Sequence, residues 1–220
     1  EMRIALAGGM PAARLGLHGN NKSEEEIAFA LEQGVGRIIV DSFDEINRIE
    51  AACVAGGHRA SVLVRVTTGV EAHTHEYIAT AHEDQKFGLS IMGGQALTAL
   101  VRCHASQYLD LRGIHSHIGS QIFETFGFEV AIRRTLKLAS QFRTATGVEL
   151  PELDLGGGFG ISYISADSPL GAADLAAAFE EMIDHECRGF GLSRPHLSIE
   201  PGRAICGPAG VALYRVGTIK

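Results

Sequence analysis

The sequence predicts an α/β fold built on a parallel sheet, namely a partial TIM (β/α)8 barrel. Short apolar runs alternate with helical stretches along most of the 220 residues. Nearly every residue of these runs is apolar, as in parallel strands that are covered on both faces. We count about six strand–helix units, whereas a complete barrel needs eight. We therefore expect an incomplete barrel, truncated at both ends.

The first strand–helix unit has the clearest boundaries. Residues 15–20 are typical of a strand that ends in a polar turn. Ser23 is a good N-cap, and Glu26 three residues later completes a capping box. The predicted helix runs to about Gln33, where Gly34 ends it.

The later units repeat the order of strand, loop and helix. Strands are predicted at residues 37–41, 61–66, 113–118, 153–155 and 196–200. Helices are predicted after Ser42, which Glu45 follows at capping-box spacing, and at about residues 128–144 and 172–187. Residues 67–89 form the longest stretch without a clear pattern. They are too long for a passive connection, so we expect them to be functional.

The two ends of the chain predict a piece of a longer protein. Residues 2–7 are typical of the middle of a helix and have no N-cap, and residues 211–220 are typical of a strand. Neither end carries a start or stop signal for its element. We therefore expect an internal segment.

Composition excludes several classes of protein. Hydrophobic residues make up 45% and charged residues 20%, which is typical of a folded globular chain. The net charge of −7, with no basic run, argues against a nucleic-acid partner. The cysteines have no CxxC spacing, which argues against a zinc ribbon and favours a reducing cytoplasm. No apolar run is long enough to cross a membrane.

Three segments with chemical potential each follow a predicted strand. They are residues 115–121 (His-Ser-His-Ile-Gly-Ser-Gln), 156–160 (Gly-Gly-Gly-Phe-Gly) and 200–203 (Glu-Pro-Gly-Arg). In a parallel barrel such segments meet at one rim. Glycine-rich backbone, a serine hydroxyl and an arginine can bind a phosphate, while a carboxylate and an imidazole can hold a heteroaromatic ring. Each segment alone could be a plain turn, but together they predict a ligand site.

These segments resemble the cofactor-site motifs of the alanine-racemase-fold decarboxylases, which use pyridoxal 5′-phosphate (PLP). The middle motif extends over residues 154–163, Asp-Leu-Gly-Gly-Gly-Phe-Gly-Ile-Ser-Tyr. Residues 18–23, 69–75 and 84–88 further resemble the diaminopimelate decarboxylase branch, particularly its actinobacterial members. That branch converts meso-2,6-diaminopimelate to L-lysine and CO2. The resemblance covers essentially the whole chain.

The resemblance implies a phosphate end for the cofactor site. Ser120 and the backbone amides of Gly157 and Gly158 would hold the phosphate group. Arg203 would lie at the phosphate and at the carboxylate of the substrate. All four residues belong to the cofactor-binding set that the resemblance implies.

The resemblance also implies a ring end. His117 would stack on the PLP ring, and Glu200 would pair with the pyridine nitrogen and keep it protonated. Pro201 and Gly202 would complete the cofactor-binding turn. The electron withdrawal itself is the cofactor's own chemistry, which the protein orients and tunes.

The chain also departs from the family's pattern. The family's covalent lysine lies on a strand that precedes anything present here, and its catalytic cysteine belongs to a C-terminal β-domain. We therefore expect residues 1–208 to form the incomplete barrel and 209–220 to begin the connection to that domain. The resemblance implies no catalytic residue in this chain, an inactive chain when alone, and a homodimer for the full-length protein.

Three alternatives remain open. A related PLP decarboxylase could act on ornithine or arginine, and a homologue could bind PLP without catalysis. The pairs His73/His75 and His115/His117 could instead serve a metal-dependent hydrolase, since alternate residues of a strand face the same way. That reading leaves the glycine-rich and Glu-Pro-Gly-Arg segments unexplained, so we expect no metal.

Overall fold

Seven parallel strands form one curled sheet in the computed structural model, which describes residues 1–70 and 86–219. The strands are β1 (Gly16–Leu17), β2 (Arg37–Val40), β3 (Ala60–Thr67), β4 (Leu89–Ser90), β5 (Leu109–Ser116), β6 (Glu152–Asp154) and β7 (His196–Ser198). The helices are α1 (Met2–Ala7), α2 (Glu24–Gln33), α3 (Phe43–Gly56), α4 (Gln95–Ala105), α5 (Phe126–Thr146), α6 (Ala172–Phe190) and α7 (Gly202–Cys206). Two 3-10 helices span Ala12–Arg14 and Gly207–Ala209.

The sheet has the order β1-β2-β3-β5-β6-β7, with the short β4 paired to the end of β3. Every strand pairing is parallel. Register is continuous from Ile38↔Val62 through Gly113↔Glu152 to Glu152↔His196, apart from one shift between β3 and β5. All carboxyl ends of the strands therefore lie at one rim, as predicted.

Contacts between distant strands show that the sheet curls into part of a barrel. In a flat sheet, β1 and β7 would lie about 24 Å apart, since neighbouring strands are separated by about 4.8 Å. Yet His18, which follows β1, places its Nε2 atom 2.9 Å from Oε1 of Glu200, which follows β7. The partial barrel that the sequence predicts is confirmed.

The core lies between the sheet and its helices. In β3, Val62, Leu63 and Val64 are all buried although they alternate between the two faces of the sheet. The helices bury one stripe each, as Ile46 and Ile49 of α3 illustrate. Both faces of the sheet are therefore covered along β3, as the apolar strands predicted.

Helix boundaries follow the capping signals where such signals exist. Ser23 accepts from the Glu26 backbone at 3.1 Å and Glu26 reaches back at 2.8 Å, so the predicted capping box is confirmed. Ser42 accepts from the Glu45 backbone at 3.2 Å. The Glu45 side chain instead accepts from the backbone of Asp41 at 2.7 Å, one residue before the cap.

Several predicted elements differ from the structure. The predicted strand at 211–220 is wrong over its described part, because residues 210–219 adopt no regular structure. Leu213 and Tyr214 are about nine-tenths exposed, and a strand needs a partner for its backbone groups. The strand predicted at 113–118 begins earlier, at Leu109, and ends at Ser116. The sequence did not predict β4, α4 or α7.

Within the described residues, no helix is long and apolar enough to cross a membrane. Most of the unassigned stretch, residues 71–85, lies outside the described residues, and so do His73 and His75.

Candidate functional site

The loops that follow β5, β6 and β7 interlock at the carboxyl rim. Ile122 donates its backbone N–H to the Gly158 carbonyl at 2.8 Å, which joins the first two loops. Glu200 donates its backbone N–H to the Gly156 carbonyl at 2.8 Å, which joins the second and third. The three segments that the sequence singled out are therefore brought together.

Two of the glycines are required by this close approach. A Cβ atom on Gly157 would lie 2.5 Å from the Glu200 carbonyl oxygen. A Cβ atom on Gly158 would lie 2.5 Å from the Gly119 carbonyl oxygen, and its φ of +104° is left-handed. Only glycine fits at both positions without displacing backbone.

An arginine and a serine from different loops meet at one end of the site. One terminal nitrogen of Arg203 donates to Ser120 Oγ at 2.8 Å, and the other donates to the hydroxyl of Tyr163 at 2.8 Å. All three residues are exposed at the rim. Ser120 and Arg203 lie 83 positions apart in the chain, and their contact brings together two of the predicted phosphate ligands.

Tyr163 is a site residue that the sequence analysis did not assign, although it ends the glycine-rich motif. Its ring lies 6.0 Å from the guanidinium carbon of Arg203. The position of its hydroxyl depends on the loop after β6. Its position at the end of the motif at residues 154–163 is the sequence feature that could have identified it.

His117 is held by the glycine-rich loop. The Gly157 N–H donates to His117 Nδ1 at 3.1 Å, so this nitrogen is an acceptor and carries no proton. Desolvation of the His117 ring disfavours its charged form and lowers its pKa. The positive charge of Arg65 lowers this pKa further. His117 is therefore neutral at pH 7, with its proton on Nε2.

Glu200 lies between two histidines. His18 Nε2 is 2.9 Å and His115 Nε2 is 3.4 Å from its carboxylate. Burial raises the pKa of Glu200, but hydrogen bonds from His115 and His18 outweigh burial and hold the pKa well below its usual range. Glu200 is therefore ionised over the physiological pH range.

His18 was quoted in a family stretch but was not assigned to the site. Its position depends on a buried lysine in the same loop. Lys22 is 2% exposed, and its ammonium group donates to Gly19 O at 2.6 Å, Ile39 O at 2.7 Å and Glu45 Oε1 at 2.8 Å. Burial lowers the pKa of Lys22, opposed by the adjacent Glu45. These contacts hold the loop that carries His18.

Asp154 is a second buried carboxylate near the site. It is 9% exposed, and its Oδ1 accepts from the Gly156 N–H at 2.8 Å. Burial raises the pKa of Asp154, against the opposing effect of His115. Its carboxylate is therefore easier to protonate than that of Glu200.

The remaining predicted residues are placed as follows. Pro201 precedes α7 and Gly202 begins it, with the Gly202 N–H donating to the Glu200 carbonyl at 2.8 Å. His115 and His117 have different partners: the His115 ring faces Glu200, whereas His117 accepts from Gly157.

The chain is similar to known proteins over its whole length. Residues 1–207 match the family model described as pyridoxal-dependent decarboxylase, pyridoxal binding domain. A diaminopimelate decarboxylase of Mycobacterium tuberculosis (strain ATCC 25618 / H37Rv) is 49% identical over 224 residues, which cover 100% of this chain and 50% of the relative. A diaminopimelate decarboxylase of Bacillus subtilis (strain 168) is 44% identical over 220 residues, with the same two coverages.

Solved structures show the same fold. Diaminopimelate decarboxylase from M. jannaschii in complex with L-lysine has a TM-score of 0.83 at 29% identity, covering 93% of this chain and 46% of that chain. The Helicobacter pylori enzyme complexed with L-lysine has a TM-score of 0.78 at 30% identity, covering 93% of this chain and 49% of that chain. The chain thus spans about half the length of the relatives it matches.

Proposed function

The chain belongs to the pyridoxal-dependent decarboxylases, and from this premise we propose that it forms the cofactor-holding part of a diaminopimelate decarboxylase. The longer protein would convert meso-2,6-diaminopimelate to L-lysine and CO2, the last step of lysine biosynthesis. The names of the relatives support this substrate. Because the chain spans half of each relative, activity and substrate belong to the proposal.

The donor set at the rim fits PLP. A phosphate needs hydrogen-bond donors and positive charge, which Ser120 and Arg203 supply together. A protonated pyridine nitrogen needs an anion, which ionised Glu200 supplies. The observation that carries the proposal is the hydrogen bond between Arg203 and Ser120, which lies beside a glycine-rich loop with no room for side chains.

At the phosphate end, the residues bind and orient. Ser120 Oγ and the Arg203 guanidinium would donate to phosphate oxygens. Gly158 and Gly157 would add backbone amides, as the family resemblance implies. The Gly157 N–H now donates to His117, so a phosphate would share or replace that bond.

At the ring end, Glu200 would hold a proton on the pyridine nitrogen. An adjacent carboxylate stabilises the protonated form of a base by direct charge attraction. Bound PLP supplies an electron sink for the electron pair that the departing CO2 leaves behind. His117 would pack its neutral ring against the cofactor, and Arg203 would also bind the substrate carboxylate.

We expect the chain alone not to decarboxylate, because no lysine of the chain matches the position of the covalent lysine that the family resemblance implies. Lys22 is the lysine closest to His18 in sequence, and three acceptors surround its amine. Positioning of a nucleophile supplies much of its reactivity. We further propose that the longer protein forms a homodimer, as the family resemblance implies. We also propose a cytoplasmic location, because Cys53, Cys103, Cys187 and Cys206 form no disulfide.

The test compares the purified chain with the same chain extended by its flanking coding sequence. The extended protein should release CO2 from meso-diaminopimelate and form L-lysine, and the chain alone should not. Ornithine and arginine serve as competing substrates. Faster turnover of ornithine or arginine would contradict the substrate, and borohydride trapping of PLP on Lys22 or Lys86 would contradict the predicted inactivity.

A further inference from the structure

Two imidazoles and one carboxylate converge inside the mouth of the curled sheet. His18 follows β1, His115 lies near the end of β5 and Glu200 follows β7. One ligand atom from each of the three lies within 4.8 Å of the other two. We propose that His18, His115 and Glu200 form a binding site for one divalent transition-metal ion such as Zn²⁺. The bound metal ion and the cofactor ring would exclude each other from the site.

The donor set suits zinc. Protein sites bind Zn²⁺ through histidine nitrogen and carboxylate oxygen, and sites with two histidines and one glutamate keep a fourth position open. At metal–ligand distances of about 2.0–2.2 Å, tetrahedral ligand atoms lie about 3.3–3.6 Å apart. The measured Nε2-to-carboxylate distances are 2.9 Å for His18 and 3.4 Å for His115. A small outward movement of His18 would therefore admit the ion.

The three ligands are already held in position by the fold. His115 is 1% exposed, so its ring has little freedom. The His18 loop is held by Lys22 through Gly19. The Glu200 backbone is fixed by Gly156 at 2.8 Å. A preformed set of ligands lowers the conformational entropy cost of binding.

Charge favours a cation at this position. Glu200 supplies one negative charge, and the buried Asp154 interacts electrostatically with Glu200 and both histidines. A divalent ion would replace the contacts between the imidazoles and Glu200. To bind the ion through its Nε2 lone pair, each neutral imidazole would move its proton from Nε2, which now faces Glu200, to Nδ1, so no proton is released and the ring stays neutral.

Mutual exclusion follows from the shared carboxylate, and this second part rests on the proposed function. Glu200 cannot serve both a metal ion and the pyridine nitrogen, because both would occupy the space that its carboxylate faces. Zinc would therefore compete with PLP for the cofactor-free protein. The metal site itself depends only on the three side chains and not on the decarboxylase assignment.

Cobalt titration tests the site directly. We would treat the purified 220-residue chain with a chelator, remove the chelator and add Co²⁺. The expected result is one Co²⁺ bound per chain, with the intense visible absorption bands that indicate a four-coordinate cobalt ion. His18→Gln, His115→Gln and Glu200→Gln should each weaken binding at least tenfold. His185→Gln, an exposed histidine on α6, is the matched control and should change nothing.

A second variant keeps the test decisive if the buried positions do not tolerate change. His18→Cys places a thiolate at the exposed ligand position, and coordination would add a near-ultraviolet thiolate-to-cobalt band. Far-ultraviolet circular dichroism confirms that each variant is folded. Absence of visible bands in the parent chain, or equal affinity in the ligand variants, would overturn the metal site.

Competition tests the exclusion. The probe is 4′-deoxypyridoxine 5′-phosphate, which has the ring nitrogen and phosphate but no aldehyde to chelate metal. The apparent dissociation constant for Co²⁺ should rise in proportion to the probe concentration. An unchanged constant at saturating probe would overturn the exclusion. If the metal-free chain fails to bind the probe, the proposed cofactor site fails, while the cobalt spectra still decide the metal site.

Discussion

The two rims of the curled sheet carry charge in different ways. At the amino rim, Arg37 Nε donates to Glu152 Oε2 at 2.8 Å and Arg112 Nε donates to Glu152 Oε1 at 3.0 Å, so one carboxylate binds two arginines. At the carboxyl rim, charged and polar groups such as Arg203 and Ser120 are exposed beside a glycine-rich loop.

The difference shows which rim is built for a ligand. The amino-rim groups satisfy one another within the fold, so they contribute to stability alone. The carboxyl-rim groups converge on a surface of bare backbone at Gly157 and Gly158, where a side chain would not fit. Barrels commonly separate stability and function between their rims in this way. Substitutions at the amino rim should therefore change stability but leave ligand affinity intact, and substitutions at the carboxyl rim should do the reverse.

The largest expected effect is on cofactor affinity, from Gly157→Ala. Its Cβ would lie 2.5 Å from the Glu200 carbonyl, so the two loops must separate. PLP affinity should fall by about 100-fold, equivalent to about 2.8 kcal/mol. Equilibrium titration of PLP absorbance measures this. Gly189→Ala is the matched control, since a Cβ there meets nothing within 4 Å, and it should bind PLP normally.

The next effect is on catalysis, from Glu200→Gln in the extended protein. A neutral amide cannot hold the pyridine nitrogen protonated as a carboxylate does, while the phosphate contacts are unchanged. Turnover should fall by about 100-fold, in the range seen when a catalytic proton contact is removed, with PLP still bound. Unaltered turnover would rule out the role of Glu200.

At the opposite rim, Glu152→Ala should affect stability and not binding. It leaves Arg37 and Arg112 without their shared partner. Because both arginine side chains are about one-third exposed, the loss should be about 1–2 kcal/mol. Urea unfolding measures it. A loss of PLP affinity comparable to that of Gly157→Ala would break the distinction between the rims.

The same carboxylate gives a pH dependence. Burial raises the pKa of Glu152, but hydrogen bonds from Arg37 and Arg112 outweigh burial, so its pKa in the folded chain lies below the ordinary value. Its stabilising effect is therefore complete above the unfolded pKa and is lost as pH falls through the folded pKa. Below about pH 4.5, the parent chain should lose stability more steeply than Glu152→Gln. Parallel pH profiles would refute the account of Glu152.

The smallest effect should come from Tyr163→Phe. The variant removes the 2.8 Å contact to Arg203 but leaves Arg203 bound to Ser120. Exposed hydrogen bonds contribute little, so PLP affinity should fall by about two- to fivefold, or about 0.4–1 kcal/mol. The PLP titration used for Gly157→Ala measures this difference.

Local signals predicted the fold well where they were present. The Ser23 capping box and the apolar β3 follow from short stretches of sequence. Helix α4 was missed because its N-cap is Gly94, which makes no side-chain cap. Its buried Ala96, Ala99 and Leu100 carry the helical spacing that could have identified it.

Long-range geometry limited the prediction of the site. His18 reaches Glu200 because β1 and β7 approach across the curled sheet, which spacing along the chain does not reveal. Lys22 is indistinguishable by residue type from a solvent-exposed lysine, and its burial depends on Glu45 of α3. The three rim segments could be grouped because parallel strands place their carboxyl ends together.

The most direct test of the comparison is an experimental structure of the chain soaked or co-crystallised with PLP. The account predicts the phosphate within hydrogen-bond distance of Ser120 and Arg203 at the carboxyl rim, with the ring nitrogen facing Glu200. A phosphate bound instead to Arg37 and Arg112 at the amino rim, or a ring nitrogen directed away from Glu200, would contradict it.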